Sequence, residues 1–196
     1  MNIDTDHLHY WMQAIRQSTD PMRTMDAFWS GQIKSKEWLI SCLTQYVNKP
    51  VTIDIHGGWV GTLASLLFQS SLPIKHINSI DIDPCVNSIA INMNKLEEIE
   101  GRFQAFTADM CNTHSVADII INTSCEHITQ EQYNTWLKNQ PTDSILLVQS
   151  NNYDIPEHIR TASSLDHFVE QSNLDVSLAV ELTLPLYKRF MIIGKK

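Results

Sequence analysis

Charged side chains are scarce in this chain. Asp, Glu, Lys and Arg make up 18% of 196 residues, against about 25% in an average globular protein. Much of the polar surface must therefore be Asn, Gln, Ser and Thr. Basic residues are scarcer than acidic ones, 14 against 22, and the net charge is −8. A chain with no basic cluster is poorly equipped to neutralise a phosphate backbone, so nucleic acid is not an expected partner. Small neutral or cationic molecules suit it better. No apolar run approaches the roughly 18 residues that a membrane span requires, so no membrane partner is expected. The stretch MNIDTDHLHYWMQ has early acids where a secretory leader would have a basic and then an apolar region. The four cysteines, Cys42, Cys85, Cys111 and Cys125, show no Cys-x-x-Cys spacing. Reduced thiols in a cytoplasmic setting are the expectation. There is no internal repeat and no low-complexity tract.

What is present is a change of period. Residues 6–48 place apolar side chains at helical spacing in HLHYWMQAIRQ and SKEWLISCLTQYV, with a turn near Asp20 and Pro21. Ser35 is the expected N-cap of the second stretch, and HLH at 7–9 reads as a solvated helix start. After Pro50, short apolar strands alternate with helices. Strands are expected at 51–55, 76–82, 102–109, 116–122 and 143–150, and helices at 60–70, 85–97, 128–139 and 164–173. Two longer strands, 175–184 and 187–195, meet across LPLY with no room for a crossover helix, so they must pair antiparallel. The expected fold is α/β: a doubly wound, mainly parallel seven-stranded sheet with a C-terminal antiparallel β-hairpin and an N-terminal helical extension. Residues 1–48 form the extension and 49–196 the α/β domain.

Ligands of doubly wound sheets bind at the carboxyl ends of the strands. The first such end reads Asp54-Ile55-His56-Gly57-Gly58-Trp59-Val60-Gly61. Glycines let the backbone turn tightly and approach a ligand, and the next helix presents free N–H groups there. About 20 residues past Gly61, the second strand ends in Asp81-Ile82-Asp83-Pro84, where a carboxylate can accept both hydroxyl hydrogens of a ribose. Together they read as a nucleoside pocket. The plainer alternative is a Gly-Gly pair that only turns the chain.

Asp54-x-x-x-Gly58 before a helix, IDIDP, TAD at 107–109 and DIIINTSCEHI at 118–128 follow one another at spacings that resemble the successive motifs of class I S-adenosylmethionine-dependent methyltransferases. The resemblance covers residues 50–195. It implies S-adenosylmethionine as cofactor, with Asp54, Gly57 and Gly58 in the methionine-side loop and Asp81 on the ribose, Asp83 being a near competitor. It also implies Asp109 on the adenine amino group, Met110 over the ring and Asn122 facing the transferred methyl. The loop departs from the family pattern: His56 stands at the usual first glycine, Val60 at the third, and Trp59 is bulky. His56 and Trp59 are therefore candidates for direct cofactor contact, or signs of altered chemistry. For His56 the alternative is a ring hydrogen-bonded behind the loop.

Methyl transfer needs an aligned acceptor more than covalent help. Where the acceptor is O–H or N–H, a base contributes roughly 10²–10⁴-fold. His127 is the candidate base and Glu126 its carboxylate neighbour, although Glu-His often closes this strand structurally. The polar run after the fifth strand offers Asn152 for substrate binding and Tyr153 for catalysis. Trp29 is a candidate substrate contact from the N-terminal extension, the alternative being that Trp29 and Trp38 staple helices to the sheet. Trp11 and Trp136 read as core. A Cys125 nucleophile would require a nucleic-acid substrate and is disfavoured. No metal is expected, because Thr123 stands where some relatives have an additional glutamate. The expected activity is methyl transfer to a small polar molecule. Rival readings are an enzyme that cyclises or cleaves the cofactor, an NAD-binding protein, and a non-catalytic binding module.

Overall fold

The computed structural model describes residues 4–196. In chain order it contains α1 (Thr5–Gln17), α2 (Pro21–Asp26), α3 (Ser30–Leu43), β1 (Val51–His56), α4 (Thr62–Phe68), β2 (Ile74–Asp81), α5 (Pro84–Met93), α6 (Lys95–Ile99), β3 (Phe103–Thr107), β4 (Ile119–Asn122), α7 (Gln130–Lys138), β5 (Ile145–Asn151), α8 (Leu165–Ser172), β6 (Asp175–Thr183) and β7 (Lys188–Lys195). The strands form one mixed sheet in the order β3-β2-β1-β4-β5-β7-β6. β2 pairs parallel with β1 and β3, and β4 with β5. β7 pairs antiparallel with both β5 and β6. This is the α/β sheet with a C-terminal hairpin that the strand and helix alternation implies. Among the described residues no helix is long and apolar enough to cross a membrane.

By its contacts the chain divides into two units, residues 1–108 and 109–196. In the first, the Asp4 carboxylate accepts from the Asp6 N–H at 2.7 Å and caps α1. One face of α1 buries Trp11 and Ala14, and Trp11 Nε1 donates to Ser65 Oγ on α4 at 2.8 Å. Trp11 is core, as expected. His7 is not solvated: its Nε2 lies 2.9 Å from Glu97 Oε1 and only 14% of the side chain is exposed.

Ser35 is not a cap either. It is buried inside α3, which starts at Ser30 behind Trp29. Nothing in SGQIK stops the helix from extending upstream, since one glycine in a first turn costs little. The single helix expected at 85–97 is two. Asn94 leaves helical geometry at φ −115°, and its Nδ2 donates to the carbonyls of Ala90 (3.0 Å) and Gly61 (3.1 Å). A short amide side chain competes here with the backbone for carbonyl partners.

In the second unit, Ile119, Ile120 and Ile121 are all buried, the pattern of a strand covered on both faces. Tyr133, Trp136, Phe168 and Phe190 belong to the core cluster that includes Ile120. α7 is started by a capping box in which Thr129 and Gln132 satisfy each other's backbone N–H groups. This places Trp136 inward, as expected.

Candidate functional site

The turn between β1 and α4 is shaped by three residues with positive φ: Gly57 (67°), Trp59 (48°) and Gly61 (80°). The glycines take this conformation freely, but Trp59 takes it against its Cβ. Gly58 answers a different constraint. A Cβ there would lie 2.0 Å from Ser79 Oγ on β2. The backbone therefore runs close against β2, and Gly58 N–H donates to the Ile80 carbonyl at 3.0 Å. The helix expected at 60–70 begins only at Thr62, because Val60 and Gly61 complete the turn.

Asp81 holds this loop. One carboxylate oxygen accepts from the Trp59 N–H at 2.8 Å, the other from the Asp83 N–H at 3.0 Å. The loop and the end of β2 thus converge on one carboxylate. Asp54 is buried and accepts from Asn78 Nδ2 at 2.8 Å, across the β1–β2 pair.

His56 is fully buried. Burial pushes its pKa down to about 4, although the neighbouring Asp54 charge opposes the shift. The ring is neutral at physiological pH. Its folded pKa lies below the unfolded value of about 6.5, so between the two the unfolded chain binds more protons. The His56 contribution to stability is complete above about pH 6.5 and is lost as pH falls towards 4, reaching about 3 kcal/mol. Urea unfolding of the wild type and of His56→Asn across this window should show the wild type losing more stability, by about that amount. Parallel pH profiles would exclude the assignment.

Asp83 is otherwise engaged. It caps α5 by accepting from Cys85 N–H at 2.9 Å and accepts from Arg23 Nη1 at 2.6 Å. Arg23, followed by the Cys85 N–H, holds its carboxyl below the usual range. Trp29 is 69% exposed, its Nε1 donates to Asp26 Oδ1 at 3.0 Å, and it does not line the cavity beside this loop. Arg23 and Thr24 of α2 line a small cavity with Trp59 and Cys85 instead.

In the second unit, Asp109 caps a short 3₁₀ turn, accepting from Cys111 N–H at 2.8 Å. Met110 follows it, and its sulfur accepts from Asn122 Nδ2 at 3.3 Å. Asn122 is buried at the end of β4, and its Oδ1 accepts from Ser124 N–H at 3.0 Å.

The strand end that follows is organised by a buried ion pair. Arg189 Nη1 lies 3.2 Å from Glu126 Oε1, with 7% and 3% of the two side chains exposed. Asn151 Nδ2 donates to the same Glu126 oxygen at 2.7 Å. Arg189 also donates to Gln149 Oε1 (3.0 Å) and to the Thr123 carbonyl (2.7 Å). Glu126 is therefore no free carboxylate in solvent, although its Oε2 is buried with no hydrogen-bond partner among the described residues.

His127 is exposed and lies beside His158, the rings 4.9 Å apart edge to face. Tyr153 packs edge-on to His158 and stacks on Tyr187 at 5.2 Å. Asn152 is exposed, and its Oδ1 accepts from the Lys188 N–H at 2.7 Å. Cys125 is fully buried and its thiol is pushed up to about 12, chiefly by burial, so it stays protonated and is no nucleophile.

Sequence reasoning missed His158, Tyr187, Asn151 and Arg189. One partial signal was legible: Arg189 stands, after Lys188, at the basic start of the apolar run FMII; in the sheet it pairs in register with Asn151. His158 carries no such signal. It lies 31 residues past His127 in a loop, and only the pairing of β4 with β5 brings the two loops together.

No protein-family model matches the chain, and no curated protein matches it. Solved structures do. Magnesium protoporphyrin IX methyltransferase from Synechocystis PCC 6803, with bound S-adenosylhomocysteine, is similar at TM-score 0.67 and 12% identity, over 98% of this chain and 94% of that one. The N-methyltransferase NodS from Bradyrhizobium japonicum WM9, in complex with S-adenosyl-L-homocysteine, is similar at TM-score 0.65 and 11% identity, over 97% and 99%. A single-residue mutant of MtNAS in complex with S-adenosylmethionine is similar at TM-score 0.64 and 10% identity, over 97% and 72%. The likeness spans nearly the whole of this chain. The chain therefore has the fold of the class I S-adenosylmethionine-dependent methyltransferases.

Proposed function

We propose that this protein binds S-adenosylmethionine and transfers its methyl group to a small polar molecule. The observation that carries the reading is the convergence of the turn after β1 on Asp81: a backbone N–H of the loop and a carboxylate at the end of β2 share one point. In a doubly wound sheet that is where a nucleoside sits, with the carboxylate facing its ribose hydroxyls. Solved structures of the same fold that hold S-adenosylmethionine or S-adenosylhomocysteine support it. The methionine-side residues are Asp54, His56, Gly57, Gly58 and Trp59. The sequence resemblance assigns Asp109 and Met110 to the adenine and Asn122 to the methyl.

For the acceptor, we assign His127 and Tyr153 to its activation and Asn152 to its orientation. His127 Nδ1 donates to the Glu157 carbonyl at 3.0 Å, which places the ring's lone pair on Nε2. Glu126 acts through position: held by Arg189, it anchors the segment that carries His127. The neutral, buried His56 is no general acid at neutral pH, so its role is to shape the loop.

The test is calorimetric titration with S-adenosylmethionine and S-adenosylhomocysteine, with NAD as control. Binding of both sulfur nucleosides, and not of NAD, is expected. Asp81→Ala should weaken it by about 100-fold or more, since both ribose hydrogen bonds to a charged acceptor are lost at about 1.5–3 kcal/mol each. Unchanged affinity in the variant would remove the ribose from Asp81, and no binding by the wild type would sink the reading.

A further inference from the structure

We infer that Glu126, His127 and His158 form a binding site for one divalent transition-metal ion. One ligand atom from each lies within 4.8 Å of the other two. Two imidazoles and a carboxylate are a donor set that suits ions of the zinc, iron and nickel type and leaves positions open for a further oxygen or nitrogen ligand. Calcium and magnesium prefer all-oxygen sites and fit it poorly.

Three features separate this cluster from a chance meeting of polar side chains. First, both rings are oriented by backbone. His127 Nδ1 is 3.0 Å from the Glu157 carbonyl, and His158 Nδ1 is 2.7 Å from the Tyr153 carbonyl. Each ring then donates from Nδ1 and presents the lone pair on Nε2, the outer-shell arrangement that ligating histidines ordinarily show. Secondly, Glu126 spends only one oxygen on Arg189 and Asn151. Its Oε2 is buried with no hydrogen-bond partner among the described residues. A buried carboxylate oxygen left bare carries a desolvation cost that a cation offsets. Thirdly, the two segments are tied to each other: the Arg160 N–H donates to the Glu126 carbonyl at 3.1 Å, so the loop bearing His158 is held against the one bearing Glu126 and His127.

Metal–ligand distances of about 2.0–2.2 Å put donor atoms roughly 3–3.5 Å apart. Closure from the observed spacing therefore asks each side chain to move by about an ångström. Because His127 is exposed and His158 only half-buried, their rings have room to do so.

The inference stands on the second unit alone and does not depend on cofactor binding. It does bear on His127: a ring nitrogen that holds an ion has no lone pair for a proton. With the site filled, an acceptor oxygen bound to the ion would lose its proton more readily than in water.

The experiment uses tag-free full-length protein, treated with chelator and dialysed. Zinc is titrated calorimetrically, and cobalt is followed by its visible absorption. One equivalent of each is expected to bind saturably, with cobalt giving the intense ligand-field bands of a low-symmetry nitrogen and oxygen site. His158→Ala and His127→Ala should each lose that binding while keeping the wild-type circular dichroism, because neither ring is core. A Cys85→Ser/Cys111→Ser variant should retain it, which excludes those two thiols as the ligands. Absence of saturable binding by the wild type, equal binding by His158→Ala, or loss of binding in the double-serine variant would each overturn the assignment. The readout is metal occupancy, so it is independent of whether S-adenosylmethionine binds.

Discussion

Replacing Arg189 with methionine is expected to destabilise the second unit by about 3–5 kcal/mol, the usual cost of stripping one partner from a buried ion pair. The guanidinium reaches three acceptors on two neighbouring strand ends: Glu126 after β4, Gln149 on β5 and the Thr123 carbonyl. Its removal leaves the Glu126 carboxylate buried, with Asn151 as its remaining side-chain donor among the described residues. The cost comes from that orphaned charge more than from the lost attraction. Glu126→Gln added to the same background should therefore recover part of the loss, because a neutral amide tolerates burial better. Urea unfolding followed by the fluorescence of buried Trp136 measures both. If Arg189→Met cost less than about 1 kcal/mol, the pair would have to be solvated in solution, and the order ascribed to the β4 end would fall with it.

The second large effect is expected at Gly61, where alanine should cost about 3 kcal/mol. Two terms contribute. The backbone at φ 80° imposes about 1–2 kcal/mol on any residue with a Cβ. The added carbon would also lie 2.6 Å from Asn94 Nδ2 and 3.1 Å from Ala90 Cα, and the latter is helix backbone that cannot step aside. Overpacking of this kind costs about 1–3 kcal/mol more. Asn94 would be driven from the bond it makes to the Gly61 carbonyl, loosening the break between α5 and α6. Thermal unfolding should show the loss directly. Affinity for S-adenosylmethionine should fall as well if the turn is the methionine-side wall. Alanine at Gly101 is the comparison: φ is also positive there, at 71°, but none of the described residues lies within 4 Å of the added carbon, so only the conformational term applies. Equal losses at the two positions would show that packing against α5 contributes nothing.

Much of the architecture was legible because it depends on period and composition. Strands such as Ile119–Asn122 are short apolar runs bounded by polar turns, and α7 carries its own capping box. LPLY leaves no length for a crossover, so the antiparallel hairpin followed from chain geometry alone. Two of the misplaced boundaries were of one kind. Ser35 and Asn94 both have side chains suited to caps and breaks, and only packing decided that the first lies inside a helix and the second ends one.

The site divides the same way. Local sequence determined the turn after β1 and the acid at the end of β2, since a chain that must bend between strand and helix needs glycine there and nowhere else nearby. It also marked Glu126 and His127 as a polar end to an apolar strand. It could not say that Glu126 is neutralised from β7, that Asp83 is taken by Arg23, or that His158 comes beside His127. Those pairings join residues 31 to 63 positions apart. At such separations periodicity carries no information, and strand order and register alone decide which side chains meet.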